Sequence, residues 1–152
     1  MPPAGVWGPP IWTLFHTLAA KIREDKFNEI GHELIMHIRK IARYLPCPDC
    51  SQHATNFFAN VPPHMFRTKT NFMQVLYVLH NHVNKRKNKP VFKLENLNMY
   101  ENKNLIQVYN RFSLVYNTRG NMKLLTDTFQ RQMLITDFKK WLVKNMQAFT
   151  EL

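Results

Sequence analysis

A chain of 152 residues with 45% hydrophobic side chains is long enough for one compact core. Its formal charge of +11 favours anionic partners such as nucleic acid, acidic proteins or lipid surfaces without choosing among them. No apolar run approaches the ~18 residues that cross a bilayer, and residues 1–10 lack a basic stretch followed by an apolar one, so neither a membrane span nor a secretory signal is expected. Glycine is scarce while Leu, Met, Phe and Lys are common, a mix that leans towards helix. The first helix is expected from Pro10 to Ile22, with Trp12, Phe15, His16 and Ala19 on one stripe and Pro9 and Pro10 in its first turn. A second runs from Lys26 to Tyr44, burying Phe27, Ile30, Leu34, Ile38 and Ile41, until Leu45-Pro46 breaks it. A third starts at Cys47 and reaches Asn60 before Pro62-Pro63 stops it. The fourth, Lys69 to Lys87, buries Phe72, Leu76, Leu79 and Val83, and Pro90 ends that segment. Four helices with short connections predict an all-α four-helix bundle. Helical patterns at 101–116 and 126–149 follow, parted by a turn at Thr118 to Asn121.

The two cysteines stand together as Cys47-Pro48-Asp49-Cys50. A structural disulfide framework needs more cysteines, and a zinc ribbon needs a second ligand pair, so no metal is expected. A lone CxxC fits a redox dithiol. At a helix start, free amides and the macrodipole favour the thiolate of Cys47, making it the better partner for exchange with an incoming thiol. The competing reading is a pair of buried, inert cysteines. No parallel-strand pattern surrounds the motif, which disfavours a thioredoxin-like frame. A helical dithiol protein therefore needs an electron acceptor of its own. Histidines on apolar faces (His16, His80, and His53 three residues after Cys50) are individually ordinary core residues, but three such faces together ask for a polar, flat partner.

Three blocks carry a family likeness: WGPPIWTLFHTLAA at 7–20, LPCPDCSQH at 45–53 and HNHVNKRKNKP at 80–90. Together they resemble the Erv/ALR family of FAD-linked sulfhydryl oxidases, in particular the small members encoded by large cytoplasmic DNA viruses. The resemblance implies a bundle holding FAD without a GxGxxG loop, in a domain spanning 1–96, followed by a C-terminal helical extension over 97–152. That extension is expected to pack on the bundle or to serve a dimer contact. The likeness also implies that Cys50 lies beside the flavin and that Cys47 is the outer sulfur meeting substrate. Gly8, Trp12, His16, His53, His80, Asn81, Val83, Asn84, Lys87 and Lys89 match cofactor-binding positions, with Tyr44 a weaker candidate, and the lysines suit the pyrophosphate. Dioxygen would be the final acceptor and a homodimer the expected assembly. The shuttle cysteines and bracing disulfide of many relatives are absent from these 152 residues, so substrate must reach Cys47 directly or through a thioredoxin-like shuttle protein. The compartment expected is the host cytoplasm or a virus factory within it, with packaging in the virion as an extension. Cytosolic disulfide formation would then be a virus-made exception. The rival readings are a basic helical nucleic-acid-binding module, which lacks a recognised docking motif, and a redox relay that never reduces oxygen.

Overall fold

The computed structural model describes residues 4–117 and 125–149, and among them there is no strand. Helix α1 spans Ala4–Lys21, α2 Glu24–Arg43, α3 Pro48–Ala59 and α4 Lys69–Arg86. A 3-10 turn at Pro63–Phe66 precedes α4 and a longer 3-10 segment, Leu94–Asn102, follows it. Helices α5 (Leu105–Tyr116) and α6 (Leu125–Lys144) then lead to a last 3-10 turn at Met146–Phe149. The all-α expectation holds. The turn expected at Thr118 to Asn121 lies outside the described residues. No described helix is long and apolar enough to cross a membrane.

Helix α1 starts six residues before the sequence suggests, so Pro9 and Pro10 sit inside it rather than in its first turn. Proline has no N–H to give and disfavours a helix interior. Burial of Trp7 and Ile11 on either side of the prolines outweighs that local cost. Helix α2 buries Phe27, Leu34, Ile38 and Ile41, as its spacing predicts. Thr68 caps α4 by accepting the amide of Asn71 at 3.1 Å, and Phe72, Leu76 and Leu79 point inward.

The segment beyond the bundle is welded to it. Helix α5 lies along α1 and α6 along α2. Leu105, Val108, Tyr109, Phe112 and Tyr116 share one hydrophobic cluster with Leu14, Leu18, Ile38 and Ile41. The hydroxyl of Tyr116 donates to the Ile41 carbonyl at 3.0 Å, and the Arg131 guanidinium donates to the Tyr44 carbonyl at 3.5 Å. The Ile41 carbonyl also accepts the Tyr44 N–H at 3.2 Å, and the Tyr44 carbonyl lies at the C-cap just past the helix, so both donors hold the C-terminal end of α2. They also anchor the chain just ahead of the cysteine loop. At the opposite end, the Arg23 amide donates to Ala148 at 2.9 Å, tying the C-terminal turn to the α1–α2 junction. Phe129 is 63% exposed. The inward stripe of α6 is Thr128, Arg131, Phe138, Trp141 and Leu142, and Phe129 falls beside it.

Candidate active site

The site begins where α2 gives way to α3. Leu45-Pro46 turns the chain, and Cys47 becomes the N-cap of α3 in an extended conformation (φ −137°, ψ 113°), with Pro48 in the first helical turn. The Cys50 amide donates to Cys47 Sγ at 3.3 Å. The helix start thus supplies an N–H to that sulfur. Ser51 Oγ donates to the Leu45 carbonyl at 3.3 Å and fixes the turn. Both thiols are free and half-buried. They differ in outlook. Cys50 faces a cavity between α1, α3 and α4, and Cys47 is not part of its wall. Burial pushes the Cys50 thiol up to about 11, helped by its hydrogen bond with and proximity to Cys47, while the charges of Lys87 and Arg86 pull the other way. In the reduced protein, iodoacetamide at pH 7.5 should therefore modify Cys47 well before Cys50, with Cys50 labelling accelerating as pH rises towards 11. Peptide mapping of the alkylated protein reads the order, and faster labelling of Cys50 at neutral pH contradicts it.

The cavity has a volume of about 440 Å³, inside the range of roughly 300–1,000 Å³ typical of cofactor pockets. Gly8, Trp12 and Phe15 of α1 form one wall, Cys50 and Ala54 another, and Leu79, His80, Val83, Asn84 and Lys87 of α4 a third. A Cβ added at Gly8 would meet nothing within 4 Å, so the absent side chain leaves the wall open there. Lys89, Pro90, Phe92, Met99 and Tyr100 close the remaining side. The end of α4 explains how the lysines arrive there. Lys89 N–H bonds the Asn84 carbonyl at 2.8 Å and Asn88 N–H bonds that of Lys85 at 3.3 Å. Asn88 sits at φ 54°. This is a Schellman closure with asparagine in the left-handed position. Asn84 Nδ2 then donates to the Pro90 carbonyl, and Asn81 clamps Phe92 by both backbone groups, at 2.7 and 3.0 Å. The chain after α4 is thereby folded back over the cavity.

Flat rings make up the inner wall. Trp12 and His80 lie almost parallel, 4.2 Å apart at 6°. Phe92 stacks on His80 at 4.3 Å, and His16 lies 4.9 Å from Tyr100. His16 Nε2 and His80 Nδ1 are hydrogen-bonded at 2.9 Å, so one ring donates and the other accepts. Burial and the neighbouring His80 lower His16 to about 3. Burial and Lys89 lower His80 to about 4. Both rings are neutral in the folded protein near neutral pH. Below 6.5 an unfolded chain binds protons that the folded one refuses, so stability is complete above that pH and falls as pH drops towards 4. The urea midpoint should fall across that window, less steeply in His80→Asn. A flat midpoint would mean that the pair already carries charge when folded.

Of the positions the sequence singled out, Gly8, Trp12, Cys50, His80, Val83, Asn84, Lys87 and Lys89 meet at one cavity. Besides Cys47, four do not line it. His16 stands behind the wall as the partner of His80, and Asn81 works through Phe92. His53 lines a separate cleft of about 510 Å³ with Phe57, Val78 and His82. Tyr44 terminates α2, with the Arg43 guanidinium 5.7 Å from its ring centroid. Sequence reasoning missed Trp7, Phe92, Met99 and Tyr100 as wall residues. The Pro90-Val91-Phe92 step carried a weak signal, an aromatic directly after a helix-ending proline. Met99 and Tyr100 carried none.

A helical protein with a dithiol at the edge of an aromatic, cation-rimmed cavity is built for thiol redox chemistry with a flat, phosphate-bearing cofactor. The residues present fit FAD: parallel aromatic faces for its rings, Lys87 and Lys89 for its phosphates, and a bare Gly8 where the wall must stay open. The family model of Erv1 / Alr matches residues 9–104. The chain belongs to the Erv1/Alr family. It is 30% identical over 96 residues to an FAD-linked sulfhydryl oxidase of African swine fever virus, covering 62% of this chain and 80% of that protein. An FAD-linked sulfhydryl oxidase of Oryza sativa subsp. japonica shares 28% identity over 91 residues, 60% of this chain and 46% of the plant protein. A protein of Invertebrate iridescent virus 3, also named as an FAD-linked sulfhydryl oxidase, shares 27% over 86 residues, 56% and 58% of the two chains. No solved structure matches the chain significantly.

Proposed function

We propose that this chain is an FAD-linked thiol oxidase that forms disulfides in protein substrates, with Cys47 as the entry sulfur and Cys50 as the sulfur serving the cofactor. The supporting observation is the different outlook of the two sulfurs: Cys50 faces the cavity while Cys47 caps α3 beside it. In the oxidised pair, a substrate thiolate attacks Cys47, the Cys47–Cys50 bond breaks, and Cys50 leaves as the thiolate. A second substrate thiolate attacks the substrate sulfur of the mixed disulfide, which closes the substrate disulfide and releases Cys47. Two electrons now reside on the dithiol. Lys87 and Arg86, whose charges favour ionised Cys50, oppose the burial that disfavours it. Bound FAD would supply a two-electron acceptor for this dithiol and deliver the pair to dioxygen, giving hydrogen peroxide. Trp12, His80 and Val83 would hold its rings, and Asn84, Lys87 and Lys89 its polar and phosphate groups.

With no further cysteine in these 152 residues, the proposed shuttle is a separate thioredoxin-like protein, and the proposed setting is the host cytoplasm or a virus factory. A homodimer, if formed, must use surface other than the parts of α1 and α2 that α5 and α6 cover. The test is oxygen uptake by yellow, FAD-loaded protein given a reduced dithiol. One peroxide should appear per disulfide formed. A protein that exchanges disulfides but consumes no oxygen is a relay, and the proposal fails.

A further inference from the structure

The oxidase chemistry leaves most of the positive charge unused. Part of it is gathered in a second place, a groove of about 350 Å³ between α2 and α3. Arg39, Lys40 and Arg43 line it over a floor of Ile35, Met36 and Phe58. The three cations are exposed. Among the described residues none of the three has a carboxylate within ion-pair distance, unlike Arg23 with Asp25 and Lys26 with Glu29. Arg39 is instead held against aromatic faces, 5.9 Å from the Phe58 ring centre and 5.6 Å from that of Phe66. Lys40, Glu33 and Asp137 all act on His37, which packs against Phe138 and Trp141 of α6 and does not itself line the groove.

The groove is lined by Arg43, the last residue of α2, and by Thr55 and Phe58 of α3, the helix that Cys47 caps. Helix α2 ends at Arg43 and α3 begins beyond Cys47, so the two helices diverge in sequence from one corner. Arg43 precedes Cys47 by four residues. At ~1.5 Å per residue, Arg43 to His32 at the far end is about 16 Å. An extended peptide, at ~3.3 Å per residue, covers that length with about five residues. Uncompensated cations above an apolar floor match a short segment of alternating carboxylates and apolar side chains. We propose that this groove docks an acidic, extended segment of the thiol-bearing protein and so presents its neighbouring cysteine to Cys47. The inference rests on Cys47 being the entry sulfur.

The cations touch no reacting atom, so their removal should raise KM and spare kcat. The contribution should fade as salt shortens the screening length to ~8 Å and below. The experiment uses full-length, FAD-loaded protein and three reduced substrates: a dithiol peptide flanked by four glutamates, the same peptide with glutamines, and dithiothreitol. The glutamate peptide should show a KM at least about tenfold below that of the glutamine peptide at low salt. The triple variant R39Q/K40Q/R43Q should erase that advantage with unchanged kcat and unchanged dithiothreitol oxidation. A K139Q/K140Q control on α6 should retain it. Equal KM values for the two peptides, or a triple variant that keeps the preference, overturns the docking proposal while dithiothreitol turnover still upholds the oxidase. No turnover of any dithiol would defeat the oxidase reading itself. A single-stranded oligonucleotide that binds through the same three cations, with no preference for the acidic peptide, would make the groove a nucleic-acid site and overturn the proposal as well.

Discussion

Cys50→Ser protein should bind FAD and lose dithiol-driven oxygen uptake by at least about a thousand-fold, as expected when a reacting group is removed from a unit that acts together. Cys47→Ser should lose as much. The two variants should part in their spectra. Cys50 is in the cavity wall and Cys47 is not, so the visible flavin bands should shift in Cys50→Ser and stay as in the parent in Cys47→Ser. Serine is nearly isosteric and its hydroxyl can still accept the Cys50 amide at position 47, so α3 should keep its cap. Loss of activity therefore reports sulfur chemistry rather than a broken helix start. Turnover and flavin spectrum measured on the same preparations decide the assignment. A spectral shift confined to Cys47→Ser would reverse the two roles, and full activity in either variant would remove that sulfur from the reaction.

The bundle was legible because its helices carry strong apolar periodicity and hard stops. Phe27, Leu34, Ile38 and Ile41 mark α2, and Leu45-Pro46 ends it. The cysteine pair was legible for the same local reason: a proline in the first turn and a thiol at the cap define a helix start. The start of α1 was not. Two adjacent prolines read as a boundary, and only the tertiary burial of Trp7 explains why the helix continues through them. Arg131 shows the limit from the other side. Its type marks a solvent face, yet it is 1% exposed, and its guanidinium on α6 reaches the carbonyl of Tyr44, the C-cap of α2. The cavity wall divides along the same line. Trp12, His80 and Lys87 stand in motif blocks, whereas Met99 and Tyr100 reach the cavity only because Asn81 and Asn84 fold the chain back after α4. Distant hydrogen bonds of that kind leave no periodic trace.

Phe112→Ala should destabilise the whole protein, including the part that carries the redox pair. Phe112 is fully buried on α5, stacked on Tyr116 at 4.9 Å and edge-on to Phe138 of α6 at 6.5 Å. Truncating a phenylalanine in such a core costs about 3–5 kcal/mol, a large share of the ~5–15 kcal/mol that holds a domain folded. For a chain of this size, that cost lowers the melting temperature by roughly 6–20 °C. Phe129→Ala, at an exposed position on α6, should change stability by less than about 0.5 kcal/mol. The informative comparison is between helix melting, followed by circular dichroism, and flavin release, followed by fluorescence. Helix α5 packs on α1, and α1 carries Trp12 of the aromatic wall and His16 behind it. The two transitions should therefore move down together in Phe112→Ala. If flavin release stays at the parent temperature while a separate early transition appears, α5 and α6 form an independent appendage. Coincident transitions instead make residues beyond the family match at 104 a structural part of the oxidase, bracing the helix that ends at the cysteine loop.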